Sequence, residues 1–355
     1  MYKLLTQAGQ TKELKRLKNG LTPVKITYAS GNPSVITFDN GVQSLSSCMR
    51  CVDAPCVEFK EEEVTPKRLS GFPADKNLNV CATNAIEINS SNGLPIINND
   101  LCFFCGVCAN RCPNGSIFLD PVIGAVVSNV DNNAFIYAKN DKDGVASTRL
   151  SFEKVERDGI ALAESNDLIH RIFSKLEIVW KLCGDRFPNL LARNLLIGAG
   201  LSAAIGRKGN NHMRMDIVLS DANKFGVAEI EFGQDAILDA PRDLLDSLAI
   251  LISRQGWIAR DIRALIISDV LPNRRSEYWH LIQDISNVLN IKIGTITIFT
   301  LMIANWMHIP VNLDSDEIYY ADKDLDSYKR EIIEPFIGRQ LNLMDSAHPQ
   351  IDIVK

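Results

Sequence analysis

Cys102, Cys105, Cys108 and Cys112 form the run C-x2-C-x2-C-x3-C, and Pro113 follows the last of them. Two-residue gaps let three thiolates of one loop reach three corners of a cubane metal–sulfur cluster, while the fourth, a turn later, points toward a different cluster. A second set stands upstream. Cys48-x2-Cys51-x4-Cys56 supplies three ligands, and Cys81, after a 24-residue gap, supplies a remote fourth. Eight of the nine cysteines therefore make two sets of four. Structural zinc also uses C-x2-C pairs, but zinc sites lack a four-cysteine run closed by proline. Cys183, in the apolar stretch IVWKLCG, has no thiolate neighbour in sequence and is expected to be a buried, inert thiol.

An internal repeat ties the two sets together. At an offset of 31 residues, CATNAIEIN from Cys81 matches CPNGSIFLD from Cys112, and Gly93 falls on Gly124. Over residues 44–130 the chain resembles the bacterial-type dicluster ferredoxins. That resemblance implies two [4Fe-4S] clusters, one on Cys48, Cys51, Cys56 and Cys112, the other on Cys102, Cys105, Cys108 and Cys81. The chain departs from the family in three places. Ala82 stands where proline usually follows the fourth cysteine, the Cys51–Cys56 gap is long, and most of Phe59–Val80 is inserted.

Three carboxylates mark a second place where chemistry is expected. Asp216 lies in RMDIVL, and Glu229 and Glu231 lie in VAEIEFG, among otherwise apolar strand residues. Charges in such a setting need a counter-ion. Side chains alternate along a strand, so Glu229 and Glu231 share a face, and a hairpin folded at Asp221–Gly226 brings Asp216 opposite Glu229. Three convergent carboxylates suit a hard cation, Mg²⁺ or Mn²⁺. Over residues 185–301 the pattern resembles the PD-(D/E)xK nuclease superfamily, in an ExE form with Glu231 at the usual lysine position. The resemblance implies that Asp216 and Glu229 bind the cation, with Glu231 as a further ligand or general base. The alternative is a solvated strand face, with Arg214 paired to Glu231 across the strands. Arg193, Arg207, Lys208, His212 and Arg214 precede the acidic hairpin, and Arg207, Lys208 and Arg214 in particular are candidate phosphate contacts. The four tryptophans are scattered and expected in cores rather than as base-stacking platforms. GAGLSAAIG lacks the strand-to-helix setting of a dinucleotide fingerprint.

The elements that must position these residues follow from periodicity. VKITYAS and SVITFDNG, around the break GNP, read as a hairpin ahead of the cysteines. A change from β-like runs to helical spacing puts a domain boundary near residue 150, giving a cluster domain over 1–150 and a second domain over 151–355. The second domain reads as a helix over 151–182, a helix over 188–197, strands over 201–205, 213–219 and 227–232, a helix over 241–253, a strand over 264–268, a helix over 275–289 and a strand over 295–301. The expected class is α+β: a ferredoxin-like domain followed by a restriction-endonuclease-like α/β domain with a mixed central sheet.

The net charge of −5 divides as 15 − 14 = +1 over 1–150 and 23 − 29 = −6 over 151–355, which neither demands nor forbids nucleic acid. The first twenty residues lack the apolar run of a signal peptide, and the apolar stretch near 293–307 is broken by Gly294, Thr297 and Asn305, so a cytoplasmic chain without a membrane span is expected. Joined, the resemblances imply an iron–sulfur, Mg²⁺- or Mn²⁺-dependent DNA endonuclease of restriction or phage defence, with DNA as partner and a homodimer as a common arrangement. The competing readings are a ferredoxin-type electron-transfer protein with a C-terminal docking domain and a redox partner, and an inactive DNA-binding or assembly subunit.

Overall fold

The computed structural model describes residues 28–29, 32–33, 36–37, 43–44, 48, 50–65, 71–113, 115–122, 124–127, 155–209, 214–221, 224–233, 236–258, 261–272, 276–315 and 333–342. They cluster into two units. The first comprises 1–59, 79–179 and 305–310, and the second comprises 60–78, 180–304 and 311–355. The expected single boundary near residue 150 is thus replaced by an interleaved division. Residues 60–78, which lengthen the first cysteine repeat, belong to the second unit.

In the first unit, the hairpin expected around GNP is instead two short ladders. β1 (Tyr28–Ala29) pairs with β2 (Asn32–Pro33), and β3 (Ile36–Thr37) pairs with β4 (Gln43–Ser44). Proline within the break lacks the N–H needed to continue a longer ladder. The 31-residue repeat appears directly in the fold. β5 (Ile86–Ile88) and β6 (Pro95–Ile97) form an antiparallel pair after Cys81, and β7 (Ile117–Asp120) and β8 (Gly124–Val127) form its counterpart after Cys112. The β-like runs expected from 128 onward lie outside the described residues.

The long helix expected over 151–182 is two helices, one over 155–163 and α3 (Asn166–Cys183). Ser165 breaks them, because its Oγ accepts the Leu168 N–H at 3.3 Å and so caps α3. Buried Leu168, Ile169, Ile172, Leu176 and Val179 give α3 its apolar stripe.

The second unit is built on one five-stranded mixed sheet in the order β13-β12-β11-β10-β9. β9 (Ser202–Ile205), β10 (Ile217–Ser220) and β11 (Phe225–Glu231) form an antiparallel meander, and β12 (Ile262–Ser268) and β13 (Ile293–Thr297) continue it in parallel. α4 (Phe187–Gly198) precedes the meander, α5 (Ala240–Gln255) joins β11 to β12, and α6 (Glu277–Leu289) joins β12 to β13. All five residues of β13 and six of seven in β12 are buried, as parallel strands covered on both faces require. The last strand ends earlier than expected. α7 (Ile298–Trp306) starts at once, with Thr297 Oγ1 accepting the Thr300 N–H at 3.2 Å. An apolar run buried on every side has no period that distinguishes strand from helix.

The inserted segment extends the sheet edge. It carries the short helix α1 (Glu61–Val64) and then runs beside β9, where Asp75 N–H donates to Ile205 O and Arg207 N–H donates to Pro73 O, both at 2.8 Å. Asp75 and Arg186 pair at 2.6 Å. Arg193, expected among exposed phosphate contacts, is fully buried; its Nη1 donates to Asn77 O and its Nε to Asn194 Oδ1, each at 2.9 Å. It anchors the insertion instead of facing solvent.

Candidate metal centres

The second cysteine run lies on a loop bent by two left-handed residues, Phe104 (φ 60°) and Gly106 (φ 85°), before helix α2 (Val107–Arg111). This geometry turns Cys102, Cys105 and Cys108 back on one another, and Cys112 ends the helix. A Cβ on Gly106 would fall 2.6 Å from Trp306 Cδ1, so only glycine fits between the loop and that indole. Trp306 Nε1 donates to Phe104 O at 2.8 Å, and Lys175 Nζ donates to Asn99 O at 2.7 Å and to Cys102 O at 3.1 Å. Arg171, hydrogen-bonded to Pro121 O, lies 5.7 Å from the centre of the Phe104 ring. The loop is therefore clamped at both ends and lies beside two cations.

Cys48, Cys51, Cys56 and Cys112 line one pocket with Arg50, Pro113 and Ser116. Arg111 joins α2 to this loop, its Nε donating to Pro55 O at 2.8 Å and its guanidinium stacking 4.6 Å above Phe59. Burial pushes the Cys56 thiol up to about 12, with Cys112, Cys48 and Cys51 adding to the desolvation. Burial likewise raises Cys48 with help from Cys112. Cys102, Cys105 and Cys108 are raised in the same way. Burial, then Cys81, raise Cys105, and Cys102 rises to about 11 despite the Phe104 N–H and Lys175. Cys108 is raised chiefly by burial, then by Cys105, Cys102 and Cys81. Each remote cysteine thus lies with the triplet of the other repeat. Among the described residues no group of three or more His, Cys, Asp or Glu side chains has closed to a finished metal-ligating geometry. Binding a cluster would require deprotonation of the thiols.

Cys183 is exposed at the end of α3, which corrects the expectation of a buried thiol. Trp279 and Trp306 are core residues, as expected, and Trp180 and Trp257 pack on Phe232 and Phe225 with ring centres 5.6 and 4.8 Å apart.

The acidic residues converge in part. The β10–β11 register pairs Ile217 with Ala228, which sets Asp216 opposite Glu229 one step further on. Asp216 Oδ1 accepts Asn189 Nδ2 at 2.8 Å and Oδ2 accepts the Ile230 N–H at 3.0 Å. Ser247 Oγ donates to Glu229 Oε1 at 2.6 Å. Protein donors thus reach three of the pair's four carboxylate oxygens, one hydrogen bond each, and hold both side chains in place. Burial, then the neighbouring Asp216 charge, push Glu229 far above the carboxylate range, and burial raises Asp216 as well. Burial and the mutual repulsion of the two carboxyls thus favour a proton held on the pair over a double negative charge. Glu231 is less buried and rises to about 7 through desolvation and then Asp216, Asp243 and Asp239. No ion pair joins Arg214 to Glu231 among the described residues. Arg207, Lys208 and Arg214 are exposed, and His212 lies outside the described residues. Sequence reasoning missed Asn189 and Ser247. Both are polar residues on otherwise apolar helix faces, the one signal that could have found them.

The family profile of the 4Fe-4S binding domain matches residues 95–118, which include Cys102, Cys105, Cys108 and Cys112. An uncharacterized ferredoxin of Methanocaldococcus jannaschii is 32% identical over 72 residues, covering 20% of this chain and 32% of that protein. A second uncharacterized ferredoxin of the same organism is 26% identical over 135 residues, 33% of this chain and 68% of its own length. The polyferredoxin-like subunit of an aliphatic sulfonate oxidoreductase of Pyrococcus furiosus is 27% identical over 73 residues, 21% of this chain and 30% of the subunit. The chain thus spans about a third of the length of the first of these relatives. No solved structure matches. No helix among the described residues is long and apolar enough to cross a membrane. Set beside the loop geometry, these likenesses show that the chain contains a ferredoxin-type 4Fe-4S binding region.

Proposed function

We propose that this protein transfers single electrons, holding one [4Fe-4S] cluster on Cys48, Cys51, Cys56 and Cys112 and another on Cys81, Cys102, Cys105 and Cys108. The observation that carries this reading is the crossed grouping, in which Cys112 lies with the first triplet and Cys81 with the second. When bound, such clusters accept and return one electron each at potentials set by charge, hydrogen bonds and burial. The chain's own residues do the rest. Arg50 and Lys175 bring positive charge to Cys48 and Cys102, which offsets the negative charge of a thiolate-ligated cluster. Backbone N–H groups of Ala85 and Ser116 donate to the remote thiols Cys81 and Cys112, each at 3.2 Å. Trp306 and Lys175 fix the second loop, limiting reorganisation when charge changes. The partner is a redox protein, and the sheet unit is its docking module. An anaerobic reductive titration with dithionite tests the reading: two electrons per chain with bleaching near 400 nm are expected, and a chain that takes up none contradicts it.

The second reading is a Mg²⁺- or Mn²⁺-dependent nuclease, favoured by the place of Asp216 opposite Glu229 in an α-βββ-α-β order of elements. Against it stand Glu231 in place of a basic side chain and the absence, among the described residues, of any group of three acidic, His or Cys side chains placed to hold a metal ion. Cleavage of duplex DNA with Mg²⁺, lost in Asp216→Ala, would establish it; uncut DNA at any redox state would remove it.

A further inference from the structure

The two cysteine repeats align at an offset of 31 residues, and Ala85 and Ser116 are among the equivalent positions that differ in chemistry. Ala85 and Ser116 are 31 residues apart, each four residues beyond its remote cysteine, and each donates its backbone N–H to that cysteine's sulfur at 3.2 Å. Ser116 alone adds a hydroxyl. That hydroxyl is fully buried, has no hydrogen-bond partner among the described residues, and belongs to a residue lining the pocket of Cys48, Cys51, Cys56 and Cys112. A serine of this kind is costly where alanine serves in the sister repeat, because a buried donor without an acceptor forfeits its hydration.

Resting on the two-cluster reading, we propose that Ser116 Oγ donates a hydrogen bond to a sulfur of the cluster held by Cys48, Cys51, Cys56 and Cys112, and selectively raises the potential of that cluster. A donor aimed at a sulfur favours the state with the extra negative charge, which is the reduced one. The pocket supplies the acceptor that the protein withholds. Cys112 Sγ already receives the Ser116 N–H, so the same residue would present two donors to one corner of this cluster. At the other centre Ala85 offers only its N–H, and Thr83 Oγ1 lies 3.2 Å from Cys81 Sγ. The two centres are thus differentiated by side chains within a shared backbone frame. Ser116 is a positioning and tuning residue and not a ligand.

The test is a potentiometric titration, followed by visible absorbance and EPR, of the anaerobically loaded full chain beside Ser116→Ala and Ser116→Thr. Removing the hydroxyl is expected to lower one of the two one-electron couples by about tenfold in its reduction equilibrium, about 59 mV, and to leave the other in place. If the couples coincide in the native protein, the Ala variant separates them. The Thr variant keeps the hydroxyl and should keep the native values. Two unmoved couples, or two that move equally, overturn the proposal, as does a Thr variant shifted as far as the Ala variant. Iron content separates this failure from a deeper one: a native chain short of eight iron atoms contradicts the two-cluster reading itself, whereas full loading with unmoved potentials contradicts only the role of the hydroxyl.

Discussion

Glu229→Gln should make the sheet unit more stable at pH 7.5 and remove a pH dependence that the native protein carries. Asp216 and Glu229 ionise at 3.8 and 4.5 in their ordinary environments, so an unfolded chain holds neither proton above about pH 5.5. The folded pair retains one, because burial and mutual repulsion oppose a double negative charge. The native state then binds one more proton than the unfolded state, and stability falls as pH rises. The stabilisation is complete below the unfolded values and disappears as pH passes through the raised folded value. One proton corresponds to about 1.36 kcal/mol per pH unit. Between pH 5.5 and 7.5 the loss should be about 1 to 3 kcal/mol, the lower figure allowing for water entering the site. Glutamine keeps an acceptor for Ser247 Oγ and offers an N–H to the Asp216 carboxylate, so it removes the repulsion and retains the hydrogen bonds. Urea unfolding followed by the fluorescence of Trp257 and Trp279 at several pH values measures the effect. A native midpoint that stays level from pH 5.5 to 7.5, or an unchanged slope in Glu229→Gln, would refute the reasoning.

Three further outcomes are expected. Gly106→Ala should destabilise the second cysteine loop by about 1 to 3 kcal/mol and reduce its iron content, because alanine strains a φ of 85° and meets Trp306; thermal melting and iron analysis check it. Cys112→Ala should cost iron at the centre of Cys48, Cys51 and Cys56 while Cys102, Cys105 and Cys108 keep theirs, so one of the two EPR-active centres disappears. Cys183→Ser should change neither iron content nor visible spectrum, since this exposed thiol belongs to neither set of four.

The 4Fe-4S binding region around Cys102–Cys112 was legible because ligand spacing is a local property: gaps of two residues and a trailing proline say which thiols share a loop, and the 31-residue offset reappears as the two hairpins that follow Cys81 and Cys112. The antiparallel meander and the facing of Asp216 with Glu229 were legible for a similar reason, since alternation and one turn fix the register. What was hidden is long-range. Nothing in the sequence of 60–78 announces that residues 73–77 run beside β9, because the ties are to distant residues: Asp75 to Ile205, Pro73 to Arg207, Arg186 to Asp75 and Arg193 to Asn77. Arg193 itself looks like a surface cation in sequence; its burial depends on carbonyls brought from far away. The same holds for the donors Asn189 and Ser247, which reach the Asp216 and Glu229 carboxyls from helices distant in sequence. The helix at 298 was concealed by uniform burial, which removes the amphipathic period.

The central claim is that two complete thiolate sets hold two cubane clusters. It is tested most directly by counting iron, acid-labile sulfide and zinc in the anaerobically purified full chain. The account predicts eight iron and eight sulfide per chain with no stoichiometric zinc. Two zinc ions without sulfide, or four iron atoms at most, would contradict it.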